Sequence, residues 1–234
     1  MRVEVWSDVV CPWCYIGKRQ LEAALDRFGH GDKVSVEWRS FELDPTAPAI
    51  SELAMSEILQ RKYGMSAEQV EATNERITGL AADLGLEYHL DKVQAGNTFD
   101  AHRLIHLAGT HGLGDAMKER LMAAYFNEAQ PVGDTSTLAA LAGEVGLDPA
   151  EVDEVLAGDR FSAEVRHDEA RARALGASGV PFFVIDEAYG VSGAQPADVL
   201  LASLEEAWTA SHPLTMATGA DDADQACSDG SCPI

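Results

Sequence analysis

The sequence predicts an α/β fold that carries a large all-helical insertion. Three observations point there. A strand, a helix and a second strand fit inside the first 44 residues. A block from about Ser51 to Leu175 then reads as mostly helical. After it, two short β-rich runs and a last helix return to the opening pattern. The two ends must meet in one sheet, with the helical block between them.

The elements follow in order. "VEVWSD" alternates weakly and is rich in β-formers, which predicts a first strand. "CYIGKRQLEAALDRF" spaces Ile16, Leu21, Ala24, Leu25 and Phe28 as one helical face, and Gly29, Gly31 and Asp32 close it. "KVSVEWRSFEL" alternates again, with Val34, Val36, Trp38 and Ser40 on one face. Pro45 and Pro48 break this pattern before the helical block begins. Within the block, "SELAMSEILQRKY", "SAEQVEATNERITGLAADLG", "TFDAHRLIHLAGTHG", "GDAMKERLMAAYFNEA" and "DTSTLAALAGEVG" have helical periodicity between Gly, Pro and Asp punctuation. "SAEVRHDEARARALG" is a further helix. Phe182 to Ile185 forms a short strand, Asp186-Glu187 a turn, and "AYGVSG" a returning strand. "QPADVLLASLEEAWTA" is the last helix, with Pro196 suited to its first turn. Ser211 to Ile234 is mainly Ala, Asp, Ser, Thr and Gly, a composition that buries little and predicts a flexible acidic tail.

Composition narrows the function. The formal net charge is −22, which repels phosphate backbones and makes nucleic acid a poor partner. No run approaches the ~20 apolar residues of a membrane span. The opening "MRVEVW" mixes charges among its apolar residues and lacks the apolar core of an export signal. The expectation is a cytoplasmic protein with no membrane partner. Four cysteines in such a chain are too few for a disulfide scaffold. In a reducing compartment paired cysteines point to catalysis, redox sensing or metal binding.

"SDVVCPWCYIG" holds the first pair, Cys11 and Cys14, where the first strand hands over to the helix. A thiol at a helix N-terminus meets unpaired N–H groups and the positive end of the dipole, and both favour thiolate. Cys11 is then expected to face outward as the attacking sulfur. Cys14, one turn further on, resolves the mixed disulfide. Pro12 suits the helix start, and Trp13 shields one side of the sulfur. The alternatives are a structural disulfide, inert buried thiols, or half of a zinc site completed by Cys227 and Cys232.

"DVVCPWCYIGKRQLEAAL", "SGVPFFVID" and "VSGAQPADVLLASLEEA" together resemble the DsbA-type branch of the thioredoxin superfamily, and closely its cytosolic FrnE-like members. The resemblance spans about residues 3 to 210. It implies a thioredoxin-like domain from residues 1–44 and 165–210, a helical insertion domain from 45–164, and a tail from 211–234. It implies a cis Val180-Pro181 bond beside the cysteine pair, with Val180 offering backbone groups to an extended substrate. Exported relatives commonly carry histidine where this chain has Trp13. An indole cannot be cationic, so a less oxidising couple is expected, working toward reduction or isomerisation.

Cys227 and Cys232 form a Cys-x4-Cys across the turn-forming Asp229-Gly230. Some FrnE-like proteins carry such a pair, read as an auxiliary redox pair exchanging with the first. Asn97, Thr98, His102 and Arg103 resemble the glutathione-side segment of kappa-class glutathione transferases and hydroxychromene-carboxylate isomerases. Their plain reading is a capped helix start, with His102 and His106 one turn apart and no third metal ligand in view. The sequence thus predicts a disulfide reductase or isomerase acting on protein thiols and disulfides. It needs no dissociable cofactor and no metal, and glutathione is a candidate electron partner. The rivals are a glutathione-dependent isomerase or transferase and a redox-controlled chaperone.

Overall fold

A computed structural model describes residues 1–213. The Cys227 and Cys232 pair lies outside the described residues.

The four strands form one mixed sheet in the order β2-β1-β3-β4. β1 (Arg2–Ser7) and β2 (Ser35–Ser40) run parallel, joined by α1 (Pro12–Arg27) and a short 3-10 turn at Gly31–Lys33. β3 (Phe182–Ile185) runs antiparallel to β1, and β4 (Tyr189–Ser192) antiparallel to β3. Both ends of the chain therefore build one sheet. The connecting turn places Asp186 and Glu187 at positive φ, as their short tight hairpin requires. The last helix, α9 (Ala197–Ser211), begins after Pro196, which serves as its N-cap rather than a residue of its first turn.

α1 and α9 cover one face of the sheet. Val3, Val5, Leu21, Phe183, Ile185 and Leu204 form that core. On the other face Trp6 and Val184 meet Ala172 of α8 (Ser162–Ala174). Full burial of each large aliphatic side chain contributes ~1.5–3 kcal/mol.

Between β2 and α8 lie α2 (Met55–Tyr63), α3 (Ala67–Ala82), α4 (Phe99–Thr110), α5 (Gly114–Phe126), α6 (Thr135–Val145) and α7 (Pro149–Ala157). Local chemistry sets their ends. Ser66 and Gln69 form a capping box on α3, and Asp134 caps α6 through the Thr137 N–H. In the sequence α7 is marked only by the general helical character of the block. Asp148 caps it and Pro149 opens it. Leu104, Leu107, Met117, Leu121, Leu138 and Leu141 pack these helices together. Cys11, Cys14, Tyr15 and Ile16 belong to this same cluster. The cysteine pair is thus set at the join between the sheet and the helical block.

Candidate active site

β1 ends at Ser7, and a turn through Asp8 leads to Cys11, whose N–H donates to the Asp8 carbonyl at 3.3 Å. Cys11 is the N-cap of α1, extended at φ −89° and ψ 113°, and Pro12 opens the helix. The positive end of α1 therefore lies at the residue that carries the first sulfur, although its side chain makes no capping hydrogen bond. The Cys14 N–H donates to the Cys11 carbonyl at 3.0 Å. Both cysteines are free thiols.

The Cys11 thiol lies 3.7 Å from the Val180 carbonyl oxygen, to which it donates. The Val180-Pro181 bond is cis, as the resemblance implies. Pro181 packs on Gly17 of α1, and its carbonyl accepts from the Gly193 N–H at 2.8 Å. Tyr88 donates its hydroxyl to the Pro12 carbonyl at 2.8 Å, pinning the motif to the helical block. The Arg76 guanidinium lies over the Trp13 ring, 5.4 Å from its centroid.

The sequence predicts an outward-facing Cys11. It is 4% exposed, little more than Cys14 at 1%. The reason is a cavity of about 740 Å³ at the join, whose walls rise around Cys11 from Pro12, Trp13 and Val180 on one side and from α2 and α3 on the other. The sulfur opens into a cleft, not onto an open surface.

Beneath the pair lies a buried charged group. Lys118 of α5 is fully buried and donates to the Ser7 carbonyl at 3.1 Å. Burial pushes its ammonium down to about 8, against the opposing pull of Cys14, Asp8 and Cys11. Burial likewise pushes the Cys14 thiol well up, and the adjacent Cys11 adds to this, while Lys118 opposes it. Asp8 is also buried, which alone would raise its carboxyl. His102, the Leu43 N–H at 2.7 Å and Lys118 outweigh that and hold it below the usual range. His102 Nε2 stands 3.4 Å from Asp8 Oδ1, and burial holds its ring below the ordinary imidazole value. Neither atom has an aligned hydrogen-bond partner, nor does the buried Tyr125 hydroxyl.

The structure brings Cys11, Pro12, Trp13, Cys14, Val180 and Pro181 together. The segment of α4 behaves differently. Thr98 lines the cleft, but it is 3% exposed. Asn97 donates to Glu42 and accepts from the Phe99 N–H, while the N-cap of α4 is Thr98, whose side chain makes no cap hydrogen bond. His102 faces Asp8. Arg103 is spent on the carbonyls of Val155, Gly158 and Arg160 and on the Asp100 carboxylate. Those four bonds turn its guanidinium toward the end of α7, so Arg103 does not face the cleft.

Lys118, Asp8 and Tyr88 are site residues that the sequence reading misses. A signal exists for Lys118: it shares a helical face with Leu121, Met122 and Tyr125, all buried. A lysine on an apolar face marks a buried charge.

The DSBA-like thioredoxin domain model matches residues 2–205. The "Uncharacterized protein YwbO" of Bacillus subtilis is 31% identical over 201 residues, covering 85% of this chain and 93% of its own length. The crystal structure of a probable DsbA oxidoreductase from Streptomyces coelicolor shares 44% identity and a TM-score of 0.87, over 100% of this chain and 99% of that one. The cytosolic disulfide reductase DsbM from Pseudomonas aeruginosa, 20% identical with a TM-score of 0.64 over 90% of this chain and 100% of its own, shares the fold. With a strand-to-helix cysteine pair seated against a cis-proline loop and a family match over nearly the whole described chain, the protein belongs to the DSBA-like thioredoxin domain family.

Proposed function

We propose that the chain is a thiol–disulfide oxidoreductase that reduces or isomerises disulfides through Cys11 and Cys14. The observation that carries the reading is the Cys11 thiol at the start of α1, 3.7 Å from the Val180 carbonyl and open to the cleft.

The steps balance within the sulfurs. Cys11, as thiolate, attacks one sulfur of a substrate disulfide. A mixed disulfide forms and the other substrate sulfur leaves as a thiolate, which takes up a proton. Cys14 then loses its proton and attacks the Cys11 sulfur. The second substrate thiol departs, and the enzyme retains a Cys11–Cys14 disulfide. The substrate has gained two electrons, which an external dithiol must return to the enzyme. Lys118 supports the second half: its positive charge favours the Cys14 thiolate that burial disfavours. Trp13 adds no charge to the motif, which supports the reducing direction. Among the described residues no helix is long and apolar enough to cross a membrane.

The test is insulin reduction by dithiothreitol, followed as turbidity. Wild type is expected to accelerate it, and Cys11→Ser to abolish the acceleration. Cys14→Ser should accumulate a mixed disulfide on Cys11, seen by mass spectrometry. No acceleration by wild type would sink dithiol exchange as the activity.

A further inference from the structure

A second buried lysine shows what Lys118 lacks. Lys18 of α1 is 2% exposed, and the carboxylates of Glu22, Asp115 and Glu119 surround its ammonium. Burial alone would bring its titration down, but those carboxylates outweigh burial and the net direction is up. Lys118 is fully buried and has no ion pair among the described residues. The Ser7 carbonyl accepts from it at 3.1 Å. An ammonium has three N–H donors, and a buried charge without a partner is costly. Burial accordingly brings Lys118 down to about 8. Something must still hold it charged near neutrality.

The Trp38 ring of β2 lies beside both ammoniums. Lys18 Nζ stands 5.8 Å from its centroid and Lys118 Nζ 5.7 Å, each over the ring. An indole makes the strongest of the side-chain cation–π contacts, and the attraction grows where water is excluded. The ring is clipped in place: its Nε1–H donates to Asp115 Oδ1 at 3.0 Å. Asp115 and Lys118 are three residues apart on α5 and share a face of that helix. The clip therefore sets the ring against the turn where Lys118 stands. Lys18 already has its carboxylates, so the ring adds little there. For Lys118 the ring takes the place a carboxylate would fill. The other groups that face Lys118 come from three elements. Against burial, Cys14 and Cys11 of α1 and Asp8 before it favour the charged ammonium, while Lys18 of α1 opposes it. His102 of α4 is the third neighbour, its ring held down by burial and then by Lys118.

We propose that Trp38 is a positioning residue: its indole face keeps the Lys118 ammonium charged and in place beneath Cys14. The consequence for catalysis rests on the proposed function, in which Cys14 is the resolving sulfur. With the charge kept, the Cys14 thiolate is favoured as it attacks the Cys11 sulfur of the mixed disulfide. No bond to Trp38 forms and no electron passes through it.

The test uses the reduced full-length chain with its lysines labelled at Cε with carbon-13. The Lys118 resonance, assigned by its loss in Lys118→Met, is followed with pH in wild type, Trp38→Phe and Trp38→Leu. The thiols are present in all three, so their titration is common to them. Lys118 is expected to titrate at about 8 in wild type. Trp38→Leu should lower that midpoint by about one pH unit or more, and Trp38→Phe by less, because a phenyl ring keeps a weaker face. The pH at which Lys118→Met ceases to prolong the mixed disulfide should fall by the same amount when Trp38→Leu is present. A merely structural role would lower the urea midpoint and leave the Lys118 titration in place. The proposal is overturned if Lys118 titrates in Trp38→Leu as it does in wild type. Should Trp38→Leu fail to fold, two measurements decide. One is the Lys118 midpoint in Trp38→Phe. The other is the Trp38 indole N–H resonance, which should shift at the Lys118 midpoint in wild type and lose that step in Lys118→Met. If neither behaves so, the proposal is overturned. Insulin reduction with no Trp38 effect on Lys118 removes this proposal alone. A Trp38 effect without insulin reduction removes the exchange reading alone, because the titration does not depend on it.

Discussion

Gly17 of α1 lies directly against Pro181. A β-carbon added at Gly17 would stand 2.8 Å from Pro181 Cγ and 3.3 Å from the Phe183 ring. The helix that carries the cysteines and the loop that carries Val180 are thus in contact through a position where only hydrogen fits.

Gly17→Ala should therefore cost more than the helix propensity it gains. Overpacking of this kind destabilises by ~1–3 kcal/mol. It should also displace Val180 from Cys11. The expected outcome is a lower urea midpoint together with slower insulin reduction per folded molecule. An unchanged rate would show that the Val180 contact is not needed.

Lys118→Met tests the buried charge. Lys118 opposes the rise of the Cys14 thiol, so its loss should push that thiol higher still. The mixed disulfide should persist longer, about threefold for every ~1.4 kcal/mol by which the Cys14 thiolate is disfavoured, because the scarcer thiolate is also the stronger nucleophile. The sign with pH follows. Lys118 loses its proton as pH rises through about 8, so its help to Cys14 is present below that value and fades above it. The gap between variant and wild type should be widest in neutral buffer and close in alkali. Quench-flow trapping of the mixed disulfide across pH measures this. A gap that does not vary with pH would assign Lys118 a purely structural role.

Glu4 predicts the acid limb of stability. It is 1% exposed, and its carboxylate is held by Arg171 and Arg39. Burial raises its carboxyl, but those two arginines outweigh it and the net direction is down from 4.5. A depressed carboxyl stabilises the fold above its ordinary value and loses that contribution as pH falls through the folded one. Glu4→Gln should cost about 3 kcal/mol near neutrality and progressively less in acid. Urea titrations at stepped pH give the curve.

Arg103→Ala should unfold the chain more readily without touching the chemistry. It leaves the Val155, Gly158 and Arg160 carbonyls without their donor. The buried Val155 carbonyl, left unsatisfied, costs ~1–3 kcal/mol, while the Gly158 and Arg160 carbonyls are partly open to water. Activity per folded molecule should be retained, whereas a direct binding role would show as a raised KM.

Much of this is legible in the sequence. The strand–helix–strand opening, the helical block and the closing hairpin all stand where periodicity and turn residues place them. Cys11, Cys14, Val180 and Pro181 can be read because a motif and its partner loop are short local patterns. Lys118 cannot be read as a site residue in the same way. Its role arises from α5 packing under β1, a contact 111 residues apart in the chain. Asn97 and Arg103 illustrate a different case. A local resemblance suggests a ligand contact beside the plainer reading of a capped helix start, and tertiary packing gives both residues internal partners. The exposure of Cys11 is misjudged for a related reason, since the cleft walls come from distant helices.

The sulfurs and one side of the cleft wall come from separate stretches of chain. Cys11 caps α1 and Cys14 lies in its first turn, whereas the side of the apolar wall that faces them is drawn from α2, α3 and the loop leading to α4. The layout lets evolution rewrite molecular selectivity without disturbing the electron-carrying couple. Chimaeras that exchange the α2–α3 segment between relatives should change which compounds are accepted while the midpoint potential stays put.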